Sequence, residues 1–335
     1  AIVASLGALP GEAATESSLM TLLREAKREA SMLIALRDLF GAADGRETTA
    51  DLSGLAEAAV RAAVRFLLLD LHGRGKLSLP DPSRPETGCG LFVLGMGKLG
   101  GGELNYSSDI DLIVLFDPEA PAILDADEAI DLFSRAVRRL IRMIGERTGD
   151  GYVFRTDLRL RPDPGAMPLA IPVPGAIAYY EASGRNWERA AMIKARCVAG
   201  DAAAANAFLD EMTPFVWRKY LDFASIAEIQ AMKHRIDRHR GFDGVAVAGH
   251  NVKLGPGGIR EVEFFAQTQQ LIAGGRAPGL RLRRTEETLL ALAGGGWIDR
   301  AVADELIEAY WFLRRVEHAI QMVADDQSHT LPEDV

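Results

Sequence analysis

Two cysteines in 335 residues, Cys89 and Cys197, are too few for a disulfide framework, and neither stands in a Cys-x-x-Cys pair or beside clustered histidines. This excludes a stapled secreted fold and argues against a structural zinc site. Both thiols are expected to be buried or half-buried. No stretch approaches the ~18–20 consecutive apolar residues of a membrane span. Basic charge is also short: 38 Lys and Arg against 47 Asp and Glu leave a net charge of −9. That is the wrong sign for a general nucleic-acid binder. The balance reverses locally over 231–290, with ten basic and six acidic residues. The start, Ala1-Ile2-Val3 followed by Gly7, Pro10 and Glu12, lacks the basic segment and apolar core of a signal peptide. There is no initial Met, and the chain stops at Val335 soon after a long helical pattern. It reads as a piece of a longer, cytoplasmic protein.

What is present is globular in kind: 48% hydrophobic and 25% charged residues. At roughly 100–200 residues per domain, two or three packing units are expected. Apolar residues recur at helical spacing over 16–40 (Leu19, Leu22, Leu23, Ala26, Ala30, Leu33, Leu36), with Arg24, Lys27, Arg28 and Glu29 on the surface, and again over 51–72, where Asp51 or Ser53 can cap. A breaker-rich linker follows at 73–90. The texture then changes. Leu91–Leu94 and Ile110–Phe116 read as buried strands, 125–149 as an amphipathic helix, and 169–171 as a further short strand. Residues 152–161 alternate, with Phe154, Thr156, Leu158 and Leu160 on one face and Arg155, Asp157, Arg159 and Arg161 on the other, as in a half-buried strand. From Pro174 onward helices dominate, interrupted at 241–258, and the last spans about 299–324. The expected division is a helical region over 1–88, an α+β core over 89–200 and a helical domain over 201–335.

The chemistry concentrates in one stretch, Gly95-Met-Gly-Lys-Leu-Gly-Gly-Gly-Glu-Leu-Asn-Tyr-Ser-Ser-Asp109-Ile-Asp111. Two aspartates two apart on a strand project to one face. Side by side they repel unless a cation sits between them, and hard oxygen donors suit Mg²⁺ with phosphate oxygens completing its shell. The glycines let backbone N–H groups approach an anion closely. Either feature alone is commonplace; a lone D-x-D usually marks a solvated strand end. Asp157, on the polar face of the alternating segment, supplies a third carboxylate, and its neighbours Arg155 and Arg159 can grip phosphate oxygens or simply pair with it.

A glycine pair, a D-x-D strand and an acid on a later strand together resemble the nucleotidyltransferase superfamily, although only seven residues separate Gly101 from Asp109, fewer than is usual there. Four longer motifs narrow the resemblance: Gly95–Leu112, Asp150–Pro162, Gly184–Arg196 and Lys253–Phe264, in that order. Together they resemble the glutamine synthetase adenylyltransferase / adenylyl-removing family, from about residue 16 to the end. That family has two related halves, one removing AMP from a tyrosine of glutamine synthetase by phosphorolysis and one attaching it from ATP. The Gly95–Glu103 stretch and Gly257-Gly-Ile-Arg-Glu-Val-Glu-Phe264 look like the N-terminal, removing half.

The resemblance implies a nucleotidyltransferase-type sheet and a metal site of Asp109, Asp111 and Asp157, holding one Mg²⁺ or a pair, with ADP or ATP and inorganic phosphate as substrate or product. Gly100, Gly101, Ser108, Lys98, Arg155, Arg159, Lys194 and Arg196 would contact phosphate or nucleotide. Glu188, Arg260, Glu261 and Glu263 would support them from behind, Glu261 by organising an arginine. The implied partners are glutamine synthetase as protein substrate and the PII signalling protein acting on the full-length enzyme, with no nucleic acid and no membrane. Two other readings compete: the AMP-attaching half, and a non-catalytic docking module on the same fold. Simpler expectations hold elsewhere. Residues 187–196 read as one helix with Glu188 and Arg189 as surface charges. Ile259 starts a helix. His234, His239 and His250 are surface histidines, and Arg314, Arg315, Glu317 and His318 belong to a structural final helix.

Overall fold

The computed structural model describes residue 6 and residues 15–219, 247–324 and 326–333. It comprises two units. The first is formed by Ala1–Leu104, Ser108–Gly184 and Lys194–Thr213, the second by Asn105–Ser107, Arg185–Ile193 and Pro214–Val335. Among the described residues no helix is long and apolar enough to cross a membrane.

In the first unit, helix α1 (Glu16–Leu39) is capped by Thr15, whose hydroxyl accepts from the Ser18 N–H while Ser18 Oγ accepts from the Thr15 N–H. Its inward stripe is Leu19, Leu23, Ala30 and Ile34, while Leu33 and Leu36, expected on that stripe, are exposed. Arg24, expected on the surface, is buried on that stripe and donates to the carbonyls of Met20, Met143 and Gly151. Helix α2 (Gly45–Gly73) begins earlier than its apolar pattern, because Asp44, and not Asp51 or Ser53, is the cap: its carboxylate accepts from the Arg46 and Glu47 N–H groups and Glu47 answers at the Asp44 N–H. Ser53 does other work. Buried in mid-helix, it donates to the Thr49 carbonyl at 2.7 Å and accepts from the Leu104 N–H at 2.9 Å. Replacing Ser53 with Ala strands that buried N–H, so urea unfolding should show a loss of about 1–3 kcal/mol.

A five-stranded mixed sheet lies behind these helices. Its strands are β1 (Leu91–Gly95), β2 (Ile110–Phe116), β3 (Thr156–Asp157), β4 (Ala170–Pro172) and β5 (Arg196–Gly200). The path is β3-β2-β1-β5, with β4 also on β2; β1 is antiparallel to β2 and β5, while β3 and β4 run parallel to β2. β1 is buried throughout and β2 everywhere except Asp111, which explains why both read as unbroken apolar runs. Helix α3 (Gly97–Gly101) follows β1, helix α4 (Ala126–Gly145) follows β2, helix α5 (Val173–Ser183) follows β4 and helix α7 (Ala202–Glu211) follows β5. α4 lays Ala129, Phe133, Val137, Leu140 and Ile144 inward, and α1, α2 and β4 pack against it. Cys89 is buried, with burial pushing its thiol up to about 12, and Cys197 is half-buried. The arrangement is the expected nucleotidyltransferase-type α+β fold.

Two local expectations change. The alternating segment 152–161 forms a ladder only at Thr156–Asp157. The N–H groups of Val153 and Phe154 bond back to the Ile144 carbonyl, and a turn closes from Arg161 to Leu158, so the segment is pinned at both ends away from the sheet. Phe154 and Leu158 are nonetheless buried, so the alternation reported burial and not pairing. β5 was hidden inside an expected helix over 187–196: helix α6 (Asn186–Met192) stops before it, and Arg196 opens the strand.

Glu16 ties α1 to α4. Its carboxylate accepts from Arg139 Nε at 2.8 Å and from Arg142, and Arg139 also bonds Asp70 at 2.6 Å. Burial works to raise the Glu16 pKa, but Arg142 and Arg139 outweigh it and hold the carboxyl below its ordinary value. A lowered folded-state pKa gives stability that is complete above the unfolded value and lost as pH falls through the folded one. Glu16→Gln should therefore be less stable than the parent in urea at neutral pH, and the gap should narrow as pH drops below about 4.

In the second unit, helices α8 (Ile259–Ala273), α9 (Thr285–Gly294) and α10 (Arg300–Ala324) enclose a core of Ile259, Val262, Ala266, Leu289, Ile307 and Tyr310. α8 starts at Ile259 as expected. The polar residues of α10 are more than a structural helix's surface: Arg314, Glu317 and His318 are buried. Arg314 bonds Asn105 and the Tyr310 hydroxyl, Asn105 bonds Glu317, and His329 Nδ1 lies 2.8 Å from Glu317. Arg189, expected on the surface, is buried and donates to the Phe215 and Val216 carbonyls. His250 is half-buried; His234 and His239 lie outside the described residues.

Candidate active site

The parallel ladder between β2 and β3 sets Ile110 opposite Thr156 and Asp111 opposite Asp157. Two carboxylates 46 positions apart in the chain thus become cross-strand neighbours. Asp109 stands just before β2, in the irregular residues leading to it, and so is next but one to Asp111 without sharing its strand. The Ile110 N–H donates to the Arg155 carbonyl at 2.8 Å, which fixes the start of β2 against the segment carrying Asp157. Asp111 is the half-buried second residue of an otherwise buried strand. Its Oδ2 lies only 2.8 Å from where a Cβ on Gly97 would be, and Gly97 has φ +50. A side chain at 97 would collide with the carboxylate and be strained besides, so glycine is required there.

Each outer acid carries an arginine. Arg155 Nε donates to Asp109 Oδ1 at 2.7 Å, and its Nη1 lies 3.1 Å from the Tyr152 hydroxyl. Arg159 donates to Asp157 from its backbone N–H at 2.8 Å and from Nε to both oxygens at 2.8 and 3.0 Å. The hydrogen bonds from Arg159 hold the Asp157 carboxyl below its usual pKa. Asp157 in turn raises the Arg159 pKa, with smaller contributions from Asp111 and Asp109.

A hard divalent cation is the group that this donor set invites. Three carboxylates, two flanking one residue and the third across a ladder, match the oxygen chemistry of Mg²⁺. The side chains as placed do not close on an ion, however. Among the described residues no group of three acidic, histidine or cysteine side chains stands in ion-holding geometry. Asp109 and Asp157 are instead on Arg155 and Arg159. The donors fit by type and register; their arrangement is the arginine-paired one.

The profile of the family described as glutamate-ammonia ligase adenylyltransferase matches residues 4–211, more than half of the chain, and that of GlnD PII-uridylyltransferase matches 226–335. The chain belongs to the glutamate-ammonia ligase adenylyltransferase family. It is 62% identical over 331 residues to the bifunctional glutamine synthetase adenylyltransferase/adenylyl-removing enzyme of Rhizobium meliloti, covering 99% of this chain and 34% of that one. It is 61% identical to the Mesorhizobium japonicum protein of the same name, over all of this chain and 34% of that one. The chain spans about one third of the length of these curated relatives.

The family's glycine stretch becomes a short helix and not a loop. α3 runs Gly97–Gly101 after Met96 and ends at Gly102 in the left-handed region, φ +69. Lys98 is half-exposed on it, Gly100 and Gly101 are buried, and Ser108 is half-buried just ahead of Asp109.

Two of the expected phosphate ligands are turned inward. Lys194 is buried, with Nζ 2.7 Å from Oε2 of an equally buried Glu103. Arg196 donates to the Gly100 carbonyl at 3.1 Å and the Leu99 carbonyl at 3.2 Å and pairs with Glu57. As placed, these cations hold α3 against β5 instead of facing an anion. Glu103 is the residue that sequence reading missed. Its only signal was an acid inside the glycine motif, and its partner lies 91 positions away.

The expected supporting residues fall in the second unit. Glu188, read as a surface charge, is buried and accepts from the Arg185 N–H at 2.8 Å, which makes it part of a helix start. Arg260 is exposed, with its N–H on the Lys253 carbonyl. Glu261 accepts from the Gly257 N–H at 3.2 Å, closing the glycine turn ahead of α8, and Glu263 is half-buried on the same helix.

Proposed function

We propose that this chain removes AMP from the adenylylated tyrosine of glutamine synthetase by phosphorolysis, releasing ADP and restoring the unmodified synthetase. One observation carries the reading: Asp157 stands opposite Asp111 in the β2–β3 ladder, with Asp109 beside them and an arginine on each outer acid. The relatives' names, which include both adenylyl transfer and adenylyl removal, give the reaction class. The resemblance of Gly95–Glu103 and Gly257–Phe264 to the removing half favours this direction over attachment.

In this reaction an oxygen of inorganic phosphate bonds to the phosphorus of the tyrosyl-AMP ester. The bond from that phosphorus to the phenol oxygen breaks, and the phenolate takes the proton that hydrogen phosphate brings. Tyrosine's pKa of about 10 makes phenolate a tolerable leaving group, and phosphate is already anionic, so neutralisation and in-line placement matter more than a strong base. Asp109, Asp111 and Asp157 would hold Mg²⁺, as one ion or a pair, which when bound neutralises charge on the reacting phosphoryl group. Arg155, Arg159 and Lys98 would turn to phosphate oxygens, with Ser108 and the Gly100–Gly101 segment as the further phosphate contacts that the resemblance implies. Glutamine synthetase is the protein substrate, and control by the PII signalling protein belongs to the full-length enzyme.

The test is to incubate the chain with adenylylated glutamine synthetase and Mg²⁺, with and without inorganic phosphate. ADP formation that depends on phosphate is the expected result. Free AMP formed without phosphate, or transfer of label from ATP to unmodified synthetase, would overturn it in favour of hydrolysis or the attaching activity.

A further inference from the structure

Resting on that reading, we propose that Arg155 and Arg159 are resident counter-cations of the site, which a divalent ion displaces from Asp109 and Asp157 and thereby frees to bind phosphate, with Tyr152 as the positioning residue that keeps Arg155 at hand. Three observations carry this. The arginines occupy the oxygens a metal needs: Asp109 Oδ1 at 2.7 Å from Arg155, and both Asp157 oxygens at 2.8 and 3.0 Å from Arg159 Nε. A hard ion takes carboxylate oxygens at about 2.1 Å, so it and a guanidinium compete for the same lone pairs in the same plane. Second, the outer pair is built to part. The Arg159 side chain is 84% exposed, so it can leave Asp157 into water without opening the fold. Third, Arg155 has a second hold. Its Nη1 meets the Tyr152 hydroxyl at 3.1 Å and its guanidinium lies 5.8 Å from that ring. Released from Asp109, it stays anchored beside the site.

The consequence is thermodynamic coupling. Without an ion, the arginines are engaged with the acids and bind phosphate poorly. With an ion, both are available. Mg²⁺ and phosphate must then raise each other's affinity by the same factor, expected at five-fold or more on the scale of about 5–150-fold typical of coupled sites.

The experiment uses the 335-residue chain, Mg²⁺ alone and then inorganic phosphate. The arginine Nε–H signals, identified by their loss in Arg155→Lys and Arg159→Lys, are followed by nitrogen–proton NMR while calorimetry measures both affinities. Both signals should move as Mg²⁺ saturates and move again with phosphate. The Arg155→Gln/Arg159→Gln double variant should still bind Mg²⁺ but show a coupling at least several-fold smaller than the parent's. Tyr152→Phe should weaken phosphate binding several-fold and leave Mg²⁺ binding unchanged. If Mg²⁺ binds in a manner abolished by Asp111→Asn yet the arginine signals stay put, or the double variant keeps the coupling undiminished, the exchange is wrong while the proposed function stands. If no Mg²⁺ binding depends on Asp111, both fall.

Discussion

Asp111→Asn should reduce phosphate-dependent ADP release by at least about 100-fold, the scale seen when one well-placed electrostatic contact to a developing charge is removed, while the thermal unfolding midpoint stays close to that of the parent. The two halves of this expectation come from different features. Asp111 is the half-buried member of an otherwise buried strand, so it contributes little to the core of the sheet. Asparagine has its shape, fits beside Gly97, and leaves the β2–β3 register untouched. What it removes is charge, at the central position of the three acids. Steady-state kinetics beside a melting curve checks the pair. Loss of activity with loss of fold would make Asp111 a structural residue, and retained activity would remove it from the chemistry.

Gly100→Ala should act in the opposite sense, on folding first. A Cβ at 100 would lie 2.1 Å from the Lys194 carbonyl oxygen and 2.5 Å from that of Gly95. Both are backbone atoms, one leading into β5 and one at the end of β1, so no side chain can rotate away. Either α3 moves or the edge of the sheet opens, and overpacking of this kind costs about 1–3 kcal/mol or more. We expect a loss at the upper end of that range, or failure to fold, measured by urea unfolding. Gly54→Ala supplies the contrast. Gly54 lies inside α2 with nothing within 4 Å of a Cβ, and alanine there should stabilise by roughly 0.5–1 kcal/mol.

These two positions also show what the sequence could and could not disclose. The apolar runs of β1 and β2 and the D-x-D between them are local patterns, and local patterns are legible in a linear sequence. Asp157 was legible for a related reason: its segment alternates, and alternation reports which side chains are buried. Its pairing was less so, because the turn at Gly151 and the bonds back to Ile144 were not visible and shortened a ten-residue strand to two. The resemblance implies phosphate contacts for Lys194 and Arg196. Only the fold shows that Glu103 and the end of α3 already engage them. The same holds for Arg24, Arg189 and Glu188, whose burial depends on carbonyls and N–H groups supplied by tertiary structure or helix ends. Polar side chains buried in this way follow no periodicity, so hydrophobic patterning is blind to them.

The arginine-paired state bears on how the acids are read. Three carboxylates beside one another are unstable without compensation, and here Arg155 and Arg159 provide it. A fold that keeps such a cluster with dedicated, partly exposed counter-ions is suited to exchanging them.

The most direct test is anomalous diffraction from crystals of the chain soaked with Mn²⁺ in place of Mg²⁺, together with ADP and phosphate. The account predicts a peak bounded by the carboxylates of Asp109, Asp111 and Asp157, with Arg155 and Arg159 moved onto phosphate oxygens. A peak elsewhere, or none while those acids keep their arginines, would contradict it.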